Sequence, residues 1–189
     1  MPIRAAEPDC YPANLLDDYL LPDFAKANEP RRWWAAYTLP RQEKSLARQL
    51  LAMEIPFYLP LVSQVRFVRG RRQKSFLPVF SSYVFVCATD DQRIGALETN
   101  RIAQLFSTPH EDGLTRDLRN IRALIESGEP LTLESRLQAG QRVRVKNGAL
   151  EGIEGTIVER RGEERLLVSV EFLQQGVSIL ISDYQVERS

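Results

Sequence analysis

The amino-acid sequence predicts an α+β protein in two parts: an N-terminal α/β sandwich, in which helices flank an antiparallel sheet, and a small C-terminal β-barrel. Strand-like and helix-like segments alternate between residues 31 and 125, whereas the chain from residue 140 onward has only the two-residue periodicity of strands. Residues 31–125 are also net basic, while both ends of the chain are net acidic. These observations predict an extension (1–30), a first domain (31–125), a linker (126–139) and a second domain (140–189).

The extension, residues 1–30, carries two basic and six acidic residues, five prolines and no sustained hydrophobic periodicity. We therefore expect it to be poorly ordered, with one helical turn near residues 15–21. It lacks the apolar core of a signal peptide, and the chain has no apolar run of the length that spans a bilayer. These features predict a cytoplasmic protein with no membrane partner.

The first domain is predicted to open with an aromatic strand over residues 33–39 and a helix over residues 41–53. One side of this helix is apolar and suited to the core. The other side carries three basic side chains at helical spacing, Arg41, Lys44 and Arg48. The helix should therefore present three positive charges to solvent.

Strands are predicted over residues 57–61, 62–68 and 76–86, with a hairpin tip between the second and the third. Five basic residues lie within nine positions at this tip: Arg66, Arg69, Arg71, Arg72 and Lys74. A short helix over 94–97, a strand over 102–106 and an amphipathic helix over 114–127 complete the domain. A basic domain between acidic ends is typical of a protein in which one part contacts phosphates, although a solvated mixed-charge surface fits the same charge pattern.

The second domain has the most informative segment of the chain, residues 140–158. Val143 and Val145 alternate with basic residues, as in a half-buried strand, and Asn147-Gly148 predicts a tight hairpin turn. Similar alternation at 166–172 and 177–181 predicts a barrel of about five short strands. The many β-branched residues in these segments favour strands, so we expect a stable barrel.

The composition gives no support for catalysis, a metal site or a cofactor. The chain has only two cysteines, Cys10 and Cys87, and one histidine, His110, in a polar segment that predicts a surface loop. Neither a disulfide framework, a metal-ligand cluster nor a Ser-His or Cys-His pair is supported by the spacing, and no phosphate-binding glycine loop precedes a helix. We therefore expect a binding protein that is not an enzyme.

Three segments together resemble the NusG family of transcription factors. The stretch 140–158 resembles a KOW motif in an SH3-like barrel, and Trp33-Trp34-Ala35-Ala36-Tyr37-Thr38 followed by a basic helix resembles the start of the family's N-terminal domain, called NGN. Phe80-Ser81-Ser82-Tyr83 is similar to the family's Phe-Pro-Gly-Tyr before an apolar strand, with Ser81-Ser82 in place of Pro-Gly or Pro-Asn. The resemblance covers roughly residues 32–188. The short arginine-rich hairpin is closer to the specialised paralogues, the RfaH, UpxY and LoaP types, than to general NusG.

The resemblance implies a monomeric factor that binds RNA polymerase, bridges the β′ clamp helices and the β gate loop, and suppresses pausing or termination. Positions that match the clamp-helix contact are Tyr37, Phe80, Tyr83 and Phe85. It also implies contact with the non-template DNA strand. The candidates are Arg41, Lys44, Arg48 and Arg101, with Arg69, Arg71, Arg72 and Lys74 as further contacts to DNA or polymerase.

For the KOW domain, the resemblance implies a second partner, a small-subunit ribosomal protein, at Phe172, Leu173 and Val177. The loss of the family's Gly-Arg pair after this position argues against Rho. Alternation places Phe172 in the barrel core and Leu173 on the surface. The alternative function is a KOW-containing ribosome- or RNA-binding protein, although such proteins are usually strongly basic and this second domain is net acidic.

Overall fold

The computed structural model describes residues 8–17, 30–68, 70–134, 140–181 and 184–188. The chain forms two compact units, Met1–Glu111 and Asp112–Ser189. The sequence predicted the end of the first domain near residue 125, whereas the boundary between the two compact units lies earlier along the chain, after Glu111. The last helix, α3 (Glu111–Glu126), begins at this division.

The first unit contains an antiparallel sheet of five strands. The strands are β1 (Cys10–Tyr11), β2 (Arg32–Thr38), β3 (Phe57–Tyr58), β6 (Tyr83–Ala88) and β7 (Ile102–Ser107). Their order in the sheet is β1-β3-β6-β2-β7, so β2 and β6 are the two central neighbours. The side chains of β2 and β6 therefore determine what each face of the sheet presents.

Two helices cover one face of this sheet, α1 (Glu43–Ala52) and α2 (Asp90–Glu98). Leu46 and Leu50 of α1 pack with Ala36 of β2 and Val84 of β6 in one buried cluster, which Ala96 of α2 also joins. α2 starts with a capping box between Thr89 and Gln92, which satisfies two backbone donors. Since alternate strand residues point to opposite faces, Tyr37 and Tyr83 lie on the other side of the sheet from this cluster.

Two further strands form a separate two-stranded ribbon, β4 (Leu61–Val68) and β5 (Arg71–Pro78). The sequence predicted one strand over residues 76–86, and this prediction is wrong. The chain leaves β5 at Pro78 and turns through Val79–Ser82 before β6 starts at Tyr83. An apolar run could not reveal the interruption, because Val79 and Phe80 in the turn are themselves buried.

Residues 8–17 belong to the extension for which the sequence predicted poor order, yet they pack on the first unit. Cys10 and Tyr11 pair with β3, and the Leu59 backbone N–H donates to the Asp9 carbonyl at 2.6 Å. Leu15 and Leu16 are each 1 % exposed. Part of the predicted helical turn at 15–21 lies outside the described residues, as does most of the remaining extension.

The second unit contains α3 and a six-stranded antiparallel sheet. The strands are β8 (Thr132–Glu134), β9 (Gln141–Val145), β10 (Glu154–Arg160), β11 (Glu163–Val170), β12 (Gln175–Leu180) and β13 (Val186–Arg188). Their order is β13-β9-β10-β11-β12-β8. Strand β8 comes from the predicted linker 126–139 and pairs with β12, so that part of the segment belongs to the sheet.

The connection between β9 and β10 differs from the predicted two-residue Asn147-Gly148 turn. Gly148 has φ +83°, as a tight turn requires, but Asn147 is extended and a 3-10 turn follows over Gly148–Leu150. Gly152, at φ +85°, completes the loop. Leu150 is 1 % exposed, so the loop is longer than predicted because it inserts an apolar side chain into the core.

A buried polar network joins β8 to the rest of the second unit. Glu134 is 4 % exposed and accepts hydrogen bonds from the Ser178 hydroxyl at 2.8 Å and from Arg160 at 2.5 Å. Arg165, 8 % exposed, donates to the Ser178 hydroxyl and to Thr132, both at 2.9 Å. The network satisfies these buried polar groups across four strands and ties β8 to the sheet. No helix in the described part of the chain is long and apolar enough to cross a membrane.

Candidate functional site

Tyr37 and Tyr83 form a tyrosine pair on the sheet face opposite the helices. They are direct partners across β2 and β6, with ring centroids 5.2 Å apart at an interplanar angle of 56°. Tyr37 is 41 % exposed and Tyr83 is half-buried. Burial, and then the neighbouring Tyr37, raise the pKa of Tyr83 above its usual value. The Tyr83 phenol is therefore neutral at physiological pH, and the pair offers two amphipathic rings to a partner.

The two phenylalanines of the predicted polymerase contact lie in the core instead. Phe80 is 1 % exposed and Phe85 is 0 % exposed, and their rings meet edge to face at 5.6 Å. A partner cannot touch either ring in this conformation, so their prediction as direct contacts is not supported by the fold. Phe85 is two residues from Tyr83 on the same face of β6, so its side chain projects to the same side of the sheet as the tyrosine pair.

The turn before β6 is fixed by a residue that the sequence analysis missed. Glu43, at the start of α1, is 8 % exposed, and its side chain accepts a hydrogen bond from the backbone N–H of Ser82 at 2.8 Å. The carbonyl of Ser82 in turn accepts from the Thr38 N–H at 2.7 Å. Ser82 has φ +64°, in the left-handed region that glycine and asparagine adopt most readily. This serine stands where the resembling family has Gly or Asn.

The basic residues predicted on the first helix are only partly brought together. α1 starts at Glu43, so Arg41, exposed at φ +61°, lies in the loop before it. Lys44 and Arg48, four residues apart, share one face of α1, with Arg48 exposed and Lys44 half-buried. Arg101 is half-buried and donates to the Gln42 side chain at 2.6 Å. Its first role is therefore to hold the loop that precedes α1.

The ribbon carries the strongest concentration of positive charge in the first unit. Arg71, Arg72 and Lys74 are exposed on β5, whereas Arg69 lies outside the described residues. No Asp or Glu occurs in the sequence between Glu54 and Asp90. Three apolar side chains of the ribbon are also exposed, Val65, Phe67 and Phe76, and the sequence analysis did not single them out. These side chains alternate with polar residues along a predicted hairpin, and this pattern could have indicated that they lie together on one face of it.

The three residues predicted to form the partner surface of the second unit differ in their exposure. Phe172 and Leu173 are both half-buried in a 3-10 turn over Glu171–Leu173, which ends at Gln174 with φ +53°. Val177 is 0 % exposed because it points into the core from β12, so its prediction as a contact residue is not supported. The half-buried turn, and Leu173 within it, is the part of this surface that a partner could reach.

A cleft in the first unit is smaller than most ligand sites. It has a volume of about 140 Å³, lies at one end of the sheet, and is lined by Arg32, Trp33, Trp34, Ser107, Thr108 and Glu111. Pockets that enclose small-molecule ligands are usually about 300–1,000 Å³. Among the described residues, no group of three or more His, Cys, Asp or Glu side chains could hold a metal ion. The surfaces that stand out are the tyrosine pair and the basic ribbon.

These features define a protein of α+β class, with an aromatic and basic first unit and a second unit that contains α3 and a six-stranded sheet. A family model described as "Transcription termination factor nusG" matches residues 31–136, which is more than half of the chain. The chain belongs to the NusG family of transcription factors. The matched segment covers four of the five strands of the first unit's sheet, including β2 and β6 with the tyrosine pair, and also the ribbon.

Comparison with solved structures finds a chain from the "Crystal Structure of MjSpt4:Spt5 complex conformation B". The sequence identity is 13 %, the TM-score is 0.26, and the match covers 83 % of this chain and 97 % of that chain. At this TM-score, the likeness adds nothing to the family assignment. No match was found among curated proteins.

Proposed function

We propose that this protein is a cytoplasmic transcription elongation and antitermination factor of the specialised RfaH, UpxY or LoaP type, and that its tyrosine pair binds RNA polymerase. The observation that carries this proposal is the placement of Tyr37 and Tyr83, adjacent and partly exposed on the sheet face opposite α1 and α2. Aromatic residues with a polar tip are favoured at the centres of protein interfaces, because they bury much area at little entropic cost. The family assignment makes the polymerase the expected partner.

The binding would act on the conformational equilibrium of the polymerase. A factor that contacts the β′ clamp helices and the β gate loop together favours the closed clamp over the opened clamp of a paused enzyme. Such a shift requires only a difference in affinity for the two states. No bond is made or broken, so the protein needs no catalytic group.

Nucleic acid is the second proposed partner of the first unit. Arg41 and Arg48 are exposed beside or on α1, and Arg71, Arg72 and Lys74 are exposed on the ribbon. Contacts of these cations with phosphates of the non-template strand would add affinity that falls with salt concentration. The Phe172–Leu173 turn of the second unit is left for a further partner, for which we propose a small-subunit ribosomal protein.

Retention of the full chain on immobilised RNA polymerase tests the proposal. Tyr83→Ala should weaken retention by about 1–3 kcal/mol if the ring is an interface anchor, whereas Tyr83→Phe keeps the buried area and should lose less. Ile94→Ala is the matched control, because Ile94 is 49 % exposed on α2, an element on the other face of the sheet. If neither wild type nor control is retained, polymerase binding is wrong. If Tyr83→Ala is retained like wild type, the tyrosine pair is not the contact.

A further inference from the structure

The two faces of the β4-β5 ribbon differ in chemistry. Phe67 pairs with Arg72 across the ribbon, Val65 with Lys74, and Ser63 with Phe76. Residues directly opposite each other on antiparallel strands project to the same side. One face, which we call the aromatic face, therefore carries Phe67, Arg72, Val65, Lys74 and Phe76 in successive rows.

The apolar side chains of the aromatic face are open to solvent. Phe67 is 76 % exposed, Val65 is 40 % exposed and Phe76 is 37 % exposed. An aromatic ring exposed to this degree contributes little to the stability of the ribbon itself. Its position near the hairpin tip points to contact with another molecule.

Cations lie in the same rows as these side chains. Arg72 is directly opposite Phe67, and the Lys74 ammonium lies 5.2 Å from the centroid of the Phe76 ring. Because no acidic residue occurs between Glu54 and Asp90, nothing within this stretch of sequence neutralises them. The face thus alternates rings with the positive charges of Arg72 and Lys74.

This alternation fits single-stranded nucleic acid better than it fits a protein partner. The centres of protein interfaces are depleted in lysine, because a buried ammonium must be paired. A single strand presents flat bases for stacking and a phosphate at every nucleotide, which is the combination that such binding surfaces use. A duplex keeps its bases stacked inside the helix and cannot offer them to a ring.

The spacing of the rows allows two bases to be bound together. Phe67 and the row of Phe76 are four residues apart along β4, which is roughly 14 Å at the rise of an antiparallel strand. Lys74 lies in the row between them, where it can contact the phosphates that connect the two bases. One strand running along the ribbon can therefore meet a ring, a cation and a second ring in turn.

We infer that the aromatic face is a stacking platform for single-stranded nucleic acid, with Phe67 as the main stacking residue and Arg72 and Lys74 as phosphate contacts. This inference rests on the proposed function, in which the same ribbon contacts DNA, and it specifies which part of the DNA is bound. The ribbon binds unpaired bases without sequence preference, since every base has a face that can stack.

Fluorescence anisotropy with the full chain tests this inference. The probes are a labelled oligothymidylate, the same backbone with abasic sites at every position, and a duplex of equal length. Loss of one stacked base reduces affinity by roughly 5- to 150-fold. The wild type should therefore bind oligothymidylate at least about fivefold more tightly than the abasic strand, and more tightly than the duplex. Equal binding of the oligothymidylate and abasic strands would reduce the site to phosphate contact alone and overturn the inference.

Variants at the exposed ring separate stacking from apolar contact. Phe67→Leu removes the ring but keeps an apolar side chain and should lose most of the preference for bases, whereas Phe67→Trp should keep it. Gln73→Ala is the control, because Gln73 is exposed on the other face of the ribbon. Unchanged oligothymidylate binding by Phe67→Leu contradicts the inference. If that variant instead loses polymerase retention, the face is a protein-docking surface.

The outcomes also separate this inference from the proposed function. A wild-type chain that is retained on RNA polymerase but does not discriminate oligothymidylate from the abasic strand leaves the proposed function intact and removes the stacking platform. A chain that discriminates the two strands but is not retained on polymerase leaves the platform and removes the proposed function.

Discussion

The Glu43 side chain accepts a hydrogen bond from the backbone N–H of Ser82 at 2.8 Å, although the two residues are 39 positions apart. This contact joins the first residue of α1 to the turn that precedes β6. Ser82 is followed directly by Tyr83, and its carbonyl accepts a further hydrogen bond from Thr38, next to Tyr37. The geometry of the tyrosine pair therefore depends on a buried carboxylate at the start of α1.

Replacement of this carboxylate should loosen the turn. Glu43→Ala leaves the Ser82 N–H without its partner, so we expect a loss of about 1–3 kcal/mol in the free energy of unfolding. Glu43→Gln retains an oxygen acceptor and should cost less. Urea denaturation of the two variants measures the difference, with the exposed Glu98→Ala as control. If Glu43→Ala and Glu98→Ala were equally stable, the hydrogen bond between Glu43 and Ser82 would contribute nothing to the free energy of unfolding.

Ser82 itself is expected to tolerate glycine better than a β-branched residue. At φ +64°, a residue with a Cβ atom is strained by about 1–2 kcal/mol. Glycine avoids this strain, but it also makes the unfolded chain more flexible, which lowers stability. Ser82→Gly should therefore lie within about 1 kcal/mol of wild type, and Ser82→Val should be clearly less stable. Thermal unfolding of both variants gives the comparison. A Ser82→Val protein as stable as Ser82→Gly would contradict the left-handed geometry.

The sequence predicted most elements of the first unit because their periodicity is local. The strand at 33–39 and the helix at 41–53 correspond to β2 and α1, since each is long enough to repeat its apolar pattern. The roles of Phe80 and Phe85 could not be predicted in the same way. Whether an aromatic ring faces the core or a partner depends on which face of the sheet is covered, and periodicity does not contain that information.

Glu43 illustrates a second limit of the sequence. An acidic residue in the first turn of a helix normally reads as a favourable partner of the helix dipole, exposed to solvent. Its actual partner, the Ser82 backbone, is 39 residues away and becomes its neighbour only when β6 pairs with β2. Phe67 was missed for the opposite reason, since an apolar residue in a predicted strand is expected in the core and here is 76 % exposed.

Asp117 on α3 should make stability depend on pH. Burial is the main cause that raises the pKa of this carboxyl from its usual 3.8 to about 6, and the negative charge of Glu171 also raises it. The pKa is lowered, to a smaller extent, by the positive charges of Arg116 and Arg142 and by a hydrogen bond from the Glu171 backbone. The folded state therefore binds the proton more tightly than the unfolded state. The stabilisation from this group is fully present below about pH 4 and is lost as the pH rises through about 6.

Asp117→Asn removes this titration while keeping an oxygen that can accept the backbone hydrogen bond. The variant should be more stable than wild type at pH 7 by about 1–2 kcal/mol, because the site is partly solvated and the full shift is not realised. The advantage should shrink as the pH falls from 6 to 4. Chemical denaturation at pH 4, 5, 6 and 7 measures it. An advantage that is independent of pH would mean that Asp117 does not titrate in this range.

Strand β8 should depend on the buried carboxylate that ties it to the sheet. Glu134→Ala leaves the Ser178 hydroxyl without its acceptor and Arg160 without its ion pair, so we expect a loss of about 2–4 kcal/mol in the stability of the second unit. The side chain of Arg160 is 45 % exposed and can be hydrated. Arg160→Ala should therefore cost much less than Glu134→Ala.

A double-mutant cycle with Glu134→Ala and Arg160→Ala separates the ion pair from the rest of the network. If the ion pair dominates, Arg160→Ala alone should cost nearly as much as Glu134→Ala, and the double variant should cost little more than either. If the Ser178 contact dominates, Arg160→Ala alone should cost little, and that small loss should add to the loss of Glu134→Ala. Hydrogen exchange at β8 and β12 locates the effect, because the loss of the tie should speed exchange there before it affects β9. Uniform exchange across the sheet would show that β8 is not held independently of the other strands.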